Sequence, residues 1–191
     1  MRSGTAAAHL RVEQSIDWRR FFSDLASYRE FLARYSVIVA NAVGRLAPTL
    51  ARDMDRFAAP QMVQWLEEDL RTVDGWLTGR GSRPPEWSWR SASPSEVTWI
   101  GSPAAAAGVV YVLEGSLNGG AVLGRLAEAS LGISGEAGRR FLAGPGIDRG
   151  QHWRATREWL DTVLFGPGET RCAVESANQM FSYFTEHLET R

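Results

Sequence analysis

Between Tyr111 and Leu123 the chain reads Tyr-Val-Leu-Glu-Gly-Ser-Leu-Asn-Gly-Gly-Ala-Val-Leu, an apolar, helix-like run with Gly115, Gly119 and Gly120 inside six positions. Each glycine in a helix interior costs roughly 1 kcal/mol relative to alanine. Three of them so close together imply that the missing side chains are needed. The usual need is close approach of backbone to a flat ligand or to another helix, or a kink. Gly115 and Gly119 are four residues apart and share one helical face.

Helical spacing continues on both sides of this run. Residues 5–16 carry Thr5, Ala8, His9, Val12 and Ile16 on one face. Ser27 followed by Glu30 fits a capping box that opens a helix through Phe31, Leu32, Tyr35, Ile38, Val39 and Leu46. Pro60 opens another, with Met62, Trp65, Leu66, Leu70, Val73 and Leu77 on its inner side. Residues 79–95, with Pro84-Pro85, read as a long connector within one domain. Ser102-Pro103 is an N-cap followed by proline at the first helical position, starting a helix to about Leu131. After a Gly144-Pro145-Gly146 loop, residues 148–164 are helical, with Trp153, Thr156, Leu160 and Leu164 facing inward. Gly166-Pro167-Gly168 breaks that helix. The last helix aligns Cys172, Ala173, Ala177, Met180, Phe181, Phe184 and Leu188. With no alternating strand pattern, the predicted fold is all-α: one domain over 1–191, about seven helices around one core.

A net charge of −1 gives no sign of nucleic-acid binding. A single cysteine, Cys172, excludes an internal disulfide and a cysteine zinc site. No uninterrupted apolar run reaches the ~18 residues of a membrane span, and the N-terminus lacks a signal-peptide core. The expectation is a soluble cytoplasmic protein. Arginine supplies all 21 basic residues, a usage that a GC-rich genome favours. Locally it still matters, because the guanidinium grips carboxylates bidentately and keeps its charge.

Only three histidines are available. His187 suits the C-terminal end of its helix and is expected near solvent. His152 reads as a surface residue. His9 lies among Thr5, Ala8, Val12 and Ile16, where a histidine is more often a satisfied core residue than a ligand. Glu13, one turn on, changes that balance. A carboxylate accepting the Nδ1 hydrogen would leave Nε2 free for a metal, although the pair is also an ordinary helix contact.

Arg2-x-x-Thr5-x-x-x-His9-x-x-x-Glu13 is similar to the first helix of the haem oxygenase family. Tyr111-Val-Leu-Glu-Gly-Ser resembles the opening of the distal helix in bacterial members, and Gly115-x-x-x-Gly119-Gly120 resembles that helix's glycine pattern. The Trp153-x-x-Thr156-Arg157 helix and the aromatic C-terminal helix follow in the same order, so the resemblance spans nearly the whole chain. The likeness is greatest to the enzymes that accompany bacterial phytochromes.

The resemblance implies an oxidoreductase that opens haem to biliverdin with release of carbon monoxide and iron. Haem is then both substrate and cofactor, and molecular oxygen and an external electron donor are required. That donor is a ferredoxin or flavodoxin, and a bacteriophytochrome is a candidate recipient of the biliverdin. By the same resemblance His9 is the axial iron ligand and Glu13 orients it. Gly115 and Gly119, with Gly120 beside them, form the distal wall. Ser116 stands where animal members carry an aspartate, and its hydroxyl can hold a water. The amide of Asn118 either reaches the distal water network or points away. Arg2, Arg154 and Arg157 are the candidate partners of the haem carboxylates.

Other readings share the architecture. A thiaminase-like hydrolase needs a cysteine nucleophile with acidic partners, and Cys172 sits instead on an apolar face. A di-iron carboxylate oxidase needs Glu-x-x-His on two helices, a motif that does not occur here. A relative that carries haem or bilin without turnover, or that partners a photoreceptor, is the non-enzymatic alternative. Trp87, Trp89 and Trp99 then read as a contact surface, or else as a connector folded back on the core.

Overall fold

The computed structural model describes residues 1–84 and 96–189. In chain order the helices are α1 (Arg2–Ser15), α2 (Trp18–Phe21), α3 (Leu25–Thr49), α4 (Ala59–Gly79), α5 (Pro103–Leu131), α6 (Arg140–Ala143), α7 (Arg149–Val163) and α8 (Pro167–Leu188). A single 3-10 turn, Met54–Arg56, precedes α4. No strand occurs among the described residues, as the sequence periodicity predicts.

The central helix is α5, which packs against α3, α4, α6, α7 and α8. Ser102 caps it by accepting from Ala105 N at 3.2 Å, and Gly132 ends it in the left-handed conformation at φ 68°. At Gly108 the backbones of α5 and α8 approach closely. A Cβ there would run into the backbone carbonyl of Ala173, so only glycine permits the approach. Ser176 Oγ donates to Ala105 O at 2.7 Å across the same seam. Among the described residues α5 is also the one helix long and apolar enough to cross a membrane. Its burial at the centre of the bundle accounts for that composition.

Around α5 the core is strongly aromatic: Phe21, Phe22, Tyr28, Phe31, Tyr35, Phe141 and Phe184 are all buried. Tyr35 bridges α3 to α6 and α8, with ring centroids 4.6 Å from Phe141 and 5.1 Å from Phe184. The predicted inner face of α4, from Met62 to Leu77, is buried as expected.

Two helix starts differ from the sequence reading. Asp24, three residues ahead of Ser27, caps α3 by accepting from Ser27 N at 2.8 Å. Glu30 is therefore free of a capping box, and it pairs with Arg20 at 3.1 Å and with Arg34 at 2.6 Å. Gly166-Pro167 does more than end α7: Gly166 is the N-cap of α8 and Pro167 lies in its first turn.

Two other helices have no side-chain cap of their own, and buried carboxylates from elsewhere serve instead. Ala58 precedes α4, and Glu114 of α5 accepts from Ala58 N at 3.1 Å and Ala59 N at 3.0 Å. Arg139 precedes α6, and Asp69 of α4 accepts from Arg140 N at 2.8 Å and Phe141 N at 2.9 Å. Both arrangements place a carboxylate at a helix N-terminus, where orphan N–H groups and the helix dipole favour it.

Most of the expected connector, with Trp87 and Trp89, lies outside the described residues. Trp99 is half-buried, 5.8 Å from the ring of Tyr183.

Candidate functional site

Helix α1 lies on α8. A Cβ on Gly4 would sit 2.8 Å from the Val174 side chain, and Asn178 Nδ2 donates to Gly4 O at 3.2 Å. Thr5 is buried, while Ala8 and Val12 pack against the core at partial burial. His9 stands at the edge of this face. Its ring meets Phe181 edge-on at 5.4 Å, and 58 % of its side chain is exposed. The apolar setting read from the sequence therefore covers only one side of the imidazole.

The other side opens into a cleft of about 1040 Å³ between α1 and α7. Arg2, His9 and Glu13 line it from α1, and Arg154 and Arg157 line it from α7. Residues far apart in sequence thus converge on one cavity. The side chains of Arg2, Arg154 and Arg157 form no ion pair among the described residues, although Glu13, Glu158 and Asp161 share the lining. Leu10, Tyr111, Trp153, Leu160 and Leu164 supply apolar surface. Nδ1 of His9 is 3.7 Å from Oε1 of Glu13, within ion-pair range but longer than a hydrogen bond.

The glycine-rich part of α5 is divided between packing and open space, and none of its candidate residues lines this cleft. Gly120 faces α6, where a Cβ would be 3.2 Å from Leu142 O. Gly115 faces Trp153, whose ring is also 5.5 Å from the ring of Tyr111. Gly119 has no neighbour within 4 Å that a Cβ would meet, and Asn118 is exposed. Ser116 Oγ donates to Leu113 O at 2.7 Å and also meets the Tyr35 phenol. Burial pushes that phenol up to about 12, with the Ser116 hydrogen bond opposing.

His152 is a correction. It is not a surface residue: its side chain is 19 % exposed, and Nε2 lies 2.5 Å from Oε2 of the fully buried Glu114. The hydrogen bond to Glu114 raises its pKa against the opposing effect of burial. No local pattern signals this contact, because the two residues are 38 positions apart. His187 is half-buried, with Nδ1 donating to Tyr183 O at 3.0 Å. Cys172 is half-buried and neighbours the Ser102 hydroxyl at 3.8 Å. Among the described residues no group of three or more His, Cys, Asp or Glu could cage a metal ion.

The arrangement suits a flat apolar molecule that carries carboxylates and takes one imidazole. The cleft has one half-exposed histidine, three unpaired guanidinium groups and aromatic and aliphatic walls, and its volume is at the upper end for ligand sites. The fold and the sequence both have known relatives. The chain is similar to the heme oxygenase of Neisseria meningitidis in its NO- and CO-bound forms, at 24 % identity and TM-score 0.71, covering 98 % of this chain and 87 % of that one. The heme oxygenase of Leptospira interrogans gives 21 % identity and TM-score 0.71, covering 98 % and 96 %. The haem complex of heme oxygenase-1 from the cyanobacterium Synechocystis gives 16 % identity and TM-score 0.72, covering 98 % and 88 %. No curated protein sequence matches the chain. The family model described as heme oxygenase matches residues 1–190, essentially end to end, and the chain belongs to the haem oxygenase family.

Proposed function

We propose that this chain opens haem to biliverdin, releasing carbon monoxide and iron. The observation that carries the reading is the convergence of His9, Glu13, Arg2, Arg154 and Arg157 on one cleft in a chain of this family. Haem supplies the iron at which oxygen is activated, and its ring is the substrate.

His9 would hold the haem iron through its exposed imidazole edge, steadied on its other side by Phe181. Glu13 biases the ring toward the tautomer with Nδ1 protonated. Arg2, Arg154 and Arg157 hold the two carboxylates and fix the plate's rotation in its plane. Tyr111 and Trp153 exclude water from the apolar faces. Gly119 leaves room along α5, Gly115 gives the Trp153 ring its seat, and Ser116 and Asn118 would handle protons through ordered water. Electrons come from a ferredoxin or flavodoxin, since no flavin- or nucleotide-binding motif is read in the sequence. We place the protein in the cytoplasm, with a bacteriophytochrome as the recipient of its product.

The test is to load the protein with one equivalent of haemin and add reduced ferredoxin in air. The Soret band should decay into a broad red biliverdin absorption. His9→Ala should weaken haemin uptake or abolish turnover while the far-UV spectrum stays helical. An unaltered Soret band and rate in that variant would remove His9 as ligand, and a stable band in the wild type would favour a carrier.

A further inference from the structure

A carboxylate as deeply buried as that of Glu114 must be matched by donors. Two of them, Ala58 N and Ala59 N, lie at the N-terminus of α4 and would satisfy a cap by themselves. The third, His152 Nε2, belongs to α7. It ties that helix to the same carboxylate.

The adjoining residues show what the tie does. Glu114-Gly115 on α5 meets His152-Trp153 on α7, one consecutive pair against another. The first contact is a short hydrogen bond, and the second seats an indole on bare backbone. Trp153 also lines the cleft, whereas His152 and Glu114 do not. Further along α7, Trp159 packs on Phe57 with ring centroids 4.8 Å apart. The helix is thus held at two points, and the cleft residues Trp153, Arg154 and Arg157 fall between them.

We propose that Glu114 and His152 are positioning residues for the cleft: the buried carboxylate holds the start of α7, and so sets where Trp153 stands over Gly115. The inference deepens the haem reading and rests on it for one of its two readouts. The Trp159 anchor leaves α7 docked when His152 is changed.

The first readout needs no haem. In the 15N–1H spectrum of the ligand-free full-length protein, the Trp153 indole resonance is assigned by its loss in Trp153→Phe. His152→Ala should shift that resonance, and His152→Gln, whose carboxamide N–H can reach Glu114, should restore it. The second readout is haemin affinity. His152→Ala should raise the dissociation constant about tenfold, as loss of an outer-shell support does elsewhere, and His152→Gln should return it to within about twofold of wild type. An unmoved indole resonance in His152→Ala overturns the proposal. So does an unchanged haemin affinity in that variant, or an equal loss in both variants. A wild type that takes up no haemin overturns the preceding functional reading instead, and the indole resonance then decides the proposal by itself.

Discussion

Trp153 rests on the missing side chain of Gly115: a Cβ added there would lie 3.6 Å from Cη2 of the indole, at ordinary contact distance. Gly115→Ala should therefore be accepted without displacement and gain up to about 1 kcal/mol of helix propensity. Gly108→Ala should behave in the opposite way. Its Cβ meets the Ala173 carbonyl and would force α5 from α8, costing about 3 kcal/mol or more. Urea denaturation of the two variants checks this, and similar midpoints would contradict the contrast between a backbone clash at Gly108 and an ordinary contact at Gly115.

Asp69 makes stability depend on pH in a direction unusual for a carboxylate. Burial pushes it up to about 7, against the hydrogen bonds from Phe141 N and Arg140 N. The folded state then holds the proton more tightly than the unfolded chain, whose value is 3.8. Stability should fall as pH rises from about 4 to about 7, by up to about 1.4 kcal/mol per pH unit where Asp69 is ionised in the unfolded chain but still protonated in the folded one. Asp69→Asn should flatten that slope. The urea midpoint of both proteins across this range is the measurement, and parallel slopes would count against it.

His152 has a linkage of the same sign, acting at higher pH. The hydrogen bond to Glu114 raises its folded pKa above 6.5, so its stabilisation is complete below that pH and lost as pH rises through the folded value. Melting temperatures measured between about pH 6 and 9 should fall more for wild type than for His152→Gln, which has no proton to lose. Equal falls would show that the imidazole is not charged in the folded protein.

Arg154 and Arg157 are exposed, so each should contribute modestly to holding a carboxylate. Arg154→Gln and Arg157→Gln should each weaken haemin binding by no more than about fivefold, the scale of an exposed ion pair. Neither should weaken binding of haemin dimethyl ester, which has no carboxylate to hold. A matching loss for the ester would assign these residues a packing role instead.

Signals confined to a few neighbouring residues were legible in the sequence. Ser102-Pro103 marks the start of α5, and Pro60 marks the first turn of α4. The same locality misled at α3, where Ser27 and Glu30 fit a capping pattern that Asp24 supersedes. Interactions between distant residues were illegible. Nothing around His152 announces Glu114, and nothing around Ala58 shows that α4 takes its cap from α5. In the cleft, the residue types of Arg2, His9, Arg154 and Arg157 were readable, but their convergence depends on how α1 and α7 pack. The wall formed by Tyr111 and Trp153 depends on the same packing.

The helix that offers His9 buries only Thr5 within its span and is attached chiefly to α8. So small a buried anchorage predicts that α1 opens locally at a lower free energy than the buried α5. A ligand that bridges α1 and α7 would close that opening, and part of its binding energy would go into immobilising the helix. Amide hydrogen exchange along α1 should then be rapid without haemin and slow with it, while α5 exchanges slowly in both states. Affinity for haem is thereby coupled to detachment of the N-terminal helix, so substitutions at Gly4 or Val174 should loosen haem binding without touching the cleft.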